Sequence, residues 1–324
     1  MKVVITGGAG FLGLRLARKI LERGTLTGRS GKPEPISQVV LVDVAKASLD
    51  DPRVVHLVGD VAEPAFLDRA IGDDTASVFH LAAVVSGQAE AEFDLGMRVN
   101  LDATRWVLDT CRRLPVPPRV VFASSVAVFG GAFPPIVPET WNLTPQNSYG
   151  TQKVIGELLV NDHSRKGFID GRALRLPTIC VRPGKPNKAA SSFASGIIRE
   201  PLAGVEAICP VGPDVTMWLS SPVTVVQHFI EAHEAPASAF GSSRSLNLPG
   251  ISVTVGEMAA TLERVAGKRA ASLIKWQPDA QIARIVAGWP AAIEATRARA
   301  MGMNSDSGFE AIVRAYIAEQ APAH

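Results

Sequence analysis

The glycines near the start of the chain constrain it most. Thr6-Gly7-Gly8-Ala9-Gly10-Phe11-Leu12-Gly13 follows the apolar run Val3-Val4-Ile5, and Leu14, Ala17, Ile20 and Leu21 follow at helical spacing up to Gly24. A short unbroken apolar run reads as a strand buried on both faces, as in a parallel sheet. The order is therefore strand, glycine turn, helix, with Gly24 as the helix stop. Gly7 and Gly10 allow a tight turn and close approach of a diphosphate. Gly13 lets the helix pack against the strand. The helix N-terminus, with Phe11 and Leu12 in its first turn, faces the phosphates.

The next strand, Val39-Val40-Leu41-Val42, ends in Asp43. An acid there accepts hydrogen bonds from the adenosine ribose hydroxyls and repels a 2′-phosphate, so NAD is expected rather than NADP. Lys46 is the nearest cation and opposes that preference. The spacing from Gly13 to Asp43 is long. Residues 24–37 make up the excess and read as a polar surface loop rich in glycine and proline.

Strands and helices then alternate. Val54–Val58 leads to Gly59-Asp60-Val61, Ser77–Leu81 to Ala82-Ala83, and Val120–Ala123 to Ser124-Ser125, with helical stretches near 64–71, 99–113 and 149–163. This pattern predicts an α/β fold: a doubly wound parallel sheet of Rossmann type over 1–175, and a smaller C-terminal α/β substrate lobe over 176–324, partly interleaved with it. Ligands bind such sheets at the carboxyl ends of the strands, where the polar residues from Asp43 to Ser125 collect.

Tyr149 and Lys153 lie at i and i+4 of the last of these helices, so phenol and ammonium share one face. A nearby positive charge favours the phenolate, and a tyrosine tuned in this way can take a proton from an alcohol. The pair alone is common on helix surfaces. Beside a dinucleotide loop it predicts hydride-transfer chemistry.

Taken together, the glycine motif at 7–13, Gly59-Asp60-Val61, His80-Leu81-Ala82-Ala83, Asn100, Ser124-Ser125 through Gly130, and Tyr149 to Lys153 resemble the extended short-chain dehydrogenase/reductase superfamily. The match covers about the first half of the chain. The resemblance implies that Asp60 and Val61 hold the adenine, that Leu81, Ala82 and Ala83 line the cofactor path, and that Asn100 steadies the site. It implies Tyr149 as the acid/base and Lys153 as the ligand of the nicotinamide ribose. The third catalytic position falls on Ser125, five residues before Gly130, with Ser124 as the neighbour it could be confused with. Phe129 stands where many relatives have tyrosine. The helices at 99–113 and 149–163 are the superfamily's usual dimer faces, so a homodimer is expected.

Bulk properties narrow the partners. Net charge is +2 in 324 residues, and no basic block is present, which argues against nucleic acid. No apolar run approaches membrane-spanning length. The chain begins directly in its first strand, so no signal peptide is expected. Cys111, Cys180 and Cys209 are odd in number and far apart, which suits reduced, buried thiols in a cytoplasmic protein. The six histidines show no metal spacing and read as structural. No metal is expected.

The substrate side begins near residue 175. Arg175–Val181 reads as a strand, and by family position Pro177 and Thr178 flank the nicotinamide. Arg182-Pro183-Gly184-Lys185-Pro186-Asn187-Lys188 is cationic and suits a small anionic substrate. The same pattern also suits a solvated loop. Dehydratases of the superfamily carry Thr-Asp-Glu where this chain has Ser125-Val126-Ala127. Nucleotide-sugar epimerases place Asn at the position of Thr178 and an Arg-Asp pair before the strand that starts at Met217-Trp218. Those groups are missing here. Leu176 to Phe193, Ser86-Gly87 and Trp218–Pro222 are similar to the branch that oxidises D-erythronate. That likeness implies NAD-dependent oxidation of the 2-hydroxyl of a four-carbon sugar acid, with Ser86, Ser125, Tyr149, Thr178 and Arg182 touching it. Two readings stay open: an epimerase that returns its hydride, and an NAD-sensing regulator, although such regulators typically lose the tyrosine.

Overall fold

A computed structural model describes residues 1–184 and 189–320. Its strands are β1 (Lys2–Thr6), β2 (Thr25–Thr27), β3 (Pro33–Pro35), β4 (Gln38–Asp43), β5 (Val54–Val58), β6 (Thr75–His80) and β7 (Arg119–Ser125). They continue as β8 (Asp170–Leu176), β9 (Thr178–Ile179), β10 (Ala207–Cys209), β11 (Thr216–Ser220), β12 (Ser245–Asn247), β13 (Ile251–Thr254) and β14 (Ile274–Trp276). Seven of them form one sheet in the order β12-β8-β7-β6-β1-β4-β5, and every neighbouring pair is parallel.

Side-chain alternation loads both faces of that sheet. Val3 and Ile5 pack with Leu16 and Ile20 of α1 (Phe11–Arg23), and Val4 packs on the other face with Phe66 and Leu67 of α2 (Pro64–Ala70). All three β1 side chains are fully buried. Burying a side chain of this size contributes roughly 1.5–3 kcal/mol. The helices that follow are α3 (Ser86–Ala91), α4 (Phe93–Gly96), α5 (Ala103–Cys111), α6 (Ser148–Arg165), α7 (Ser192–Leu202), α8 (Pro222–Glu234) and α9 (Val255–Ala266). α8 packs beside α1, and its Val225 and Phe229 join the first core layer. β12 extends the sheet beyond β8. Two elements from the later half of the chain thus complete the first sheet.

The rest builds a second core. β9, β11 and β13 form a small sheet, and β10 pairs with β14. α7 and α9 cover it, with Ile197, Ile198, Met217, Leu219, Val253, Met258 and Leu262 inside. Helices Thr296–Ala300 and Phe309–Gln320 flank a turn at Gly302.

Three local expectations change. The strand expected over Arg175–Val181 is two: β8 ends at Leu176 in the large sheet and β9 begins at Thr178 in the small one, with Pro177 between them. Residues 24–37 are not simply a polar loop, because β2 and β3 pair there as an antiparallel hairpin. Leu26 is fully buried, and the Thr27 N–H donates to Glu234 of α8 at 3.1 Å, so the hairpin is packed down by one inward side chain and one helix-end carboxylate. The helix expected at 99–113 starts earlier. It runs from α4 through a π-helical turn, Met97–Asp102, into α5. Turns of this kind often mark functional positions, and this one carries Asn100.

Candidate active site

The glycine turn is shaped by contact. Gly7 has φ 71°, and a Cβ there would lie 2.8 Å from the Ala82 nitrogen. A Cβ on Gly13 would lie 2.1 Å from the Gly7 carbonyl oxygen. Any side chain at either position would push the turn off the end of β6 or α1 off the turn. Gly10 caps α1 without a side-chain hydrogen bond, and the first turn holds no acid. The opening N–H groups at Phe11 and Leu12 therefore suit a diphosphate. Asp43 Oδ2 accepts from the Ala9 N–H at 3.0 Å, which ties the end of β4 to the turn. Asp60 accepts from the Ala62 N–H at 2.9 Å and pairs with Arg98. Burial acts to raise its pKa, but the Ala62 N–H and Arg98 outweigh that and hold the carboxyl below its usual range. These residues fit the adenosine half of NAD.

A hydrogen-bonded chain steadies the next strand end. Thr6 Oγ1 accepts from the Ala82 N–H at 3.2 Å and lies 2.7 Å from His80 Nδ1. Thr104 Oγ1 donates to the Asn100 carbonyl at 2.7 Å and lies 3.0 Å from His80 Nε2. His80 therefore donates through Nε2, and a neutral ring with Nδ1 accepting from the Thr6 hydroxyl completes the chain. Burial, with Lys153's charge, pushes its pKa down to about 3, in keeping with that tautomer. Asn100 is fully buried: Oδ1 accepts from the Val84 N–H at 2.9 Å, and Nδ2 donates to the Val84 carbonyl at 3.2 Å and to Gln152 at 2.8 Å. Its amide thus joins the segment after β6 to α6.

Asn147 caps α6 by accepting from the Gly150 N–H at 2.8 Å, which places Tyr149 in the first turn. A Cβ on Gly150 would lie 2.1 Å from the Ala127 carbonyl oxygen. This glycine lets the helix start press onto the turn after Ser125. Ser125 Oγ accepts from the Ala127 N–H at 3.1 Å, so its hydroxyl hydrogen is left to donate elsewhere. The Lys153 ammonium lies 5.5 Å from the Tyr149 ring centre and donates to the Ala123 carbonyl at 2.8 Å.

Electrostatics depart from expectation in one respect. Burial pushes the Tyr149 phenol above its ordinary pKa, and the groups pulling it back are Arg182 and the Ser125 hydroxyl. Lys153, which the sequence suggested for that role, is itself pushed down to about 7 by burial. Arg182 is also no solvated loop residue. Its N–H donates to Ser195 at 2.9 Å, its Nε donates to the Ile179 carbonyl at 3.2 Å, and its guanidinium lies 5.9 Å from the Phe11 ring centre. It spans from the second lobe to the glycine turn. Lys185 and Lys188 of the cationic segment lie outside the described residues.

Comparison with known proteins bears on this site. Residues 3–220 match the model of the NAD dependent epimerase/dehydratase family. The chain belongs to that family. NAD is accordingly its cofactor, and its chemistry is oxidoreduction at a CH–OH group. It is 57% identical over 318 residues to a D-erythronate dehydrogenase of Cupriavidus necator, covering 98% of each chain. A D-erythronate dehydrogenase of Haemophilus influenzae is 47% identical over 319 residues, covering 98% of this chain and 99% of its own. The crystal structure of a nucleoside-diphosphate-sugar epimerase from Agrobacterium tumefaciens superimposes with a TM-score of 0.92 at 41% identity, covering 99% of this chain and 94% of its own.

Within this family member, Phe11, Arg182, Tyr149, Ser125 and Lys153 form a chain of neighbours: Arg182 faces the Phe11 ring and acts on Tyr149, which in turn meets Ser125 and Lys153. Pro177 links β8 to β9, and Thr178 pairs with Leu219 of β11 at the lobe boundary. Ser86 opens α3, which packs on α6. Val61 is buried beside Asp60 and joins the core layer that contains α2, while Leu81, Ala82 and Ala83 continue from β6. Sequence reading missed Gly150, Thr6 and the buried Glu157–Arg175 pair. For Glu157 a signal existed, since Tyr149, Lys153 and Glu157 recur every four residues along one helix.

Proposed function

We propose that the protein oxidises the 2-hydroxyl of D-erythronate to the 2-oxo acid with NAD. The observation that carries this reading is Arg182, whose Nε is held by the Ile179 carbonyl, whose charge acts on Tyr149, and which has no carboxylate partner among the described residues. Such a fork matches the carboxylate of a small sugar acid. The two dehydrogenase relatives supply the substrate.

NAD, when bound, supplies the hydride acceptor. The glycine turn and the α1 N-terminus hold its diphosphate, and Asp43 holds its adenosine ribose. Asp60 and Val61 border the adenine, Leu81 to Ala83 and Pro177 line the path, and Asn100 acts through the segment it holds. Lys153 grips the second ribose. Ser125 donates to the substrate oxygen and fixes it beside Tyr149, which takes the hydroxyl proton as phenolate. Arg182 anchors the carboxylate, with Thr178 and Ser86 on the flanks. The protein acts as a homodimer through the α5 and α6 faces.

The test is NADH formation across a panel of three- to six-carbon sugar acids and nucleotide sugars. D-erythronate gives net NADH, while UDP-glucose and UDP-galactose neither reduce NAD nor interconvert. Interconversion of a nucleotide sugar without net NADH overturns the reading in favour of an epimerase.

Cofactor choice gives a second expectation. A 2′-phosphate would meet the Asp43 carboxylate, and such like-charge contacts cost several kcal/mol. NAD should exceed NADP in kcat/KM by on the order of a hundredfold. Equal use of the two would show that Lys46 outweighs the acid.

A further inference from the structure

Next to Lys153 lies a buried polar cluster that the reaction described above leaves unused. Glu157, one helical turn further along α6, is 3% exposed. Its Oε1 accepts from Ser124 Oγ at 2.5 Å and from Arg175 Nε at 3.0 Å, and its Oε2 accepts from Arg175 Nη2 at 2.7 Å. Arg175 Nη1 donates to Asn247 Oδ1 at 3.2 Å, and Asn247 Nδ2 donates to the Glu294 carbonyl at 2.9 Å. Ser124 belongs to β7, Arg175 to β8 and Asn247 to β12, where it sits in register with Arg175. Three adjacent strands are thus tied, directly or through Arg175, to one carboxylate of α6.

Stability alone is a poor reason for such a cluster. Desolvating both charges is costly, and a packed apolar set of equal volume is often as stable or more so. What apolar residues cannot supply is charge. Lys153 sits four residues earlier on the same helix face, is 1% exposed, and donates to Ala123, the residue before Ser124. Burial pushes its pKa down to about 7, and Glu157 is the group whose charge raises it. The other groups around it do not do this work. His80 on β6 is neutral, Phe122 on β7 offers only a ring face at 4.6 Å, Tyr149 is a buried phenol, and Arg175 and Arg182 are cations.

We propose that Glu157 is a positioning residue for this enzyme: clamped by Ser124 and Arg175, it fixes the rotation of α6 and supplies the counter-charge that keeps Lys153 an ammonium facing the cofactor. The proposal rests on Lys153 as a ligand of NAD.

NAD affinity, measured by calorimetry from pH 5.5 to 9 without substrate, tests it. In the wild type, affinity falls as pH rises through the titration of Lys153. Glu157→Gln keeps the size and an acceptor but removes the charge. Its midpoint should move down by about one pH unit, leaving affinity at pH 6 within about twofold of wild type and several-fold weaker at pH 8. Glu157→Asp, which restores the charge, should bring the midpoint back toward wild type. An unmoved midpoint in Glu157→Gln, or a loss equal at every pH, overturns the proposal. If that variant does not fold, Arg175→Gln carries the test with opposite sign: removing a cation beside Glu157 raises the midpoint, and a lowered or unmoved midpoint is the refuting result. A wild-type affinity independent of pH would instead overturn Lys153 as the NAD ligand. Failure to oxidise D-erythronate overturns the substrate alone, since these measurements read only NAD.

Discussion

Tyr149→Phe should lower turnover of the sugar acid by roughly two to four orders of magnitude, the range for loss of a positioned acid or base. The substitution removes one oxygen and keeps the ring that Lys153 faces at 5.5 Å. The cap from Asn147 and the contact of Gly150 with Ala127 involve backbone groups and stay in place. NAD affinity should therefore change little. The pH dependence of the wild type follows from the same group. Burial raises the phenol's pKa and oxidation needs the phenolate, so kcat/KM should rise with pH across the tyrosine's titration. The variant should lose that dependence along with the rate. A Tyr149→Phe enzyme that turns over at near-normal rate would remove Tyr149 from the reaction.

What could be read from the sequence was local. The glycine turn follows from backbone stereochemistry, and a positive φ at Gly7 and a crowded Gly13 are properties of the turn itself. Tyr149 and Lys153 meet because helical geometry fixes i and i+4 on one face. The doubly wound parallel sheet also follows, because apolar runs that need burial on both faces alternate with helical stretches. These signals lie within a few residues of each other, and periodicity carries them.

The parts that could not be read depend on distant chain. Arg175 meets Asn247, 72 residues away, only because β12 is added beyond β8. Nothing in Ser245–Asn247 announces a sheet strand three residues long. The hairpin at 25–35 was hidden by its prolines and glycines, which signal a loop, while Leu26 is buried in a core layer to which α8 from the other half of the chain contributes. Arg182 shows the same limit in the site itself. Its neighbours in sequence are cationic and suggest solvent. Its neighbours in space are Phe11 and Tyr149, brought there by the docking of the two lobes.

That placement makes Arg182 the residue with the second large effect expected. Arg182→Gln should raise KM for D-erythronate about tenfold or more, because a hydrogen bond to a charged group is worth roughly 1.5–3 kcal/mol. KM for NAD should move far less. A second effect separates this residue from a simple anchor. In the free enzyme its charge pulls the Tyr149 phenol down against burial. With that charge removed the phenol's pKa rises, so the ascending limb of kcat/KM against pH should shift to higher pH. The kcat/KM profile is the right measurement, because it reports the free enzyme, before a substrate carboxylate offsets the guanidinium. Arg182→Lys keeps the charge but not the fork, so it should restore most of the limb and only part of KM. An unchanged KM in Arg182→Gln would move the carboxylate contact to Lys185 or Lys188. A limb that stays in place would assign the tuning of Tyr149 to Ser125, or to Lys153 once NAD is bound.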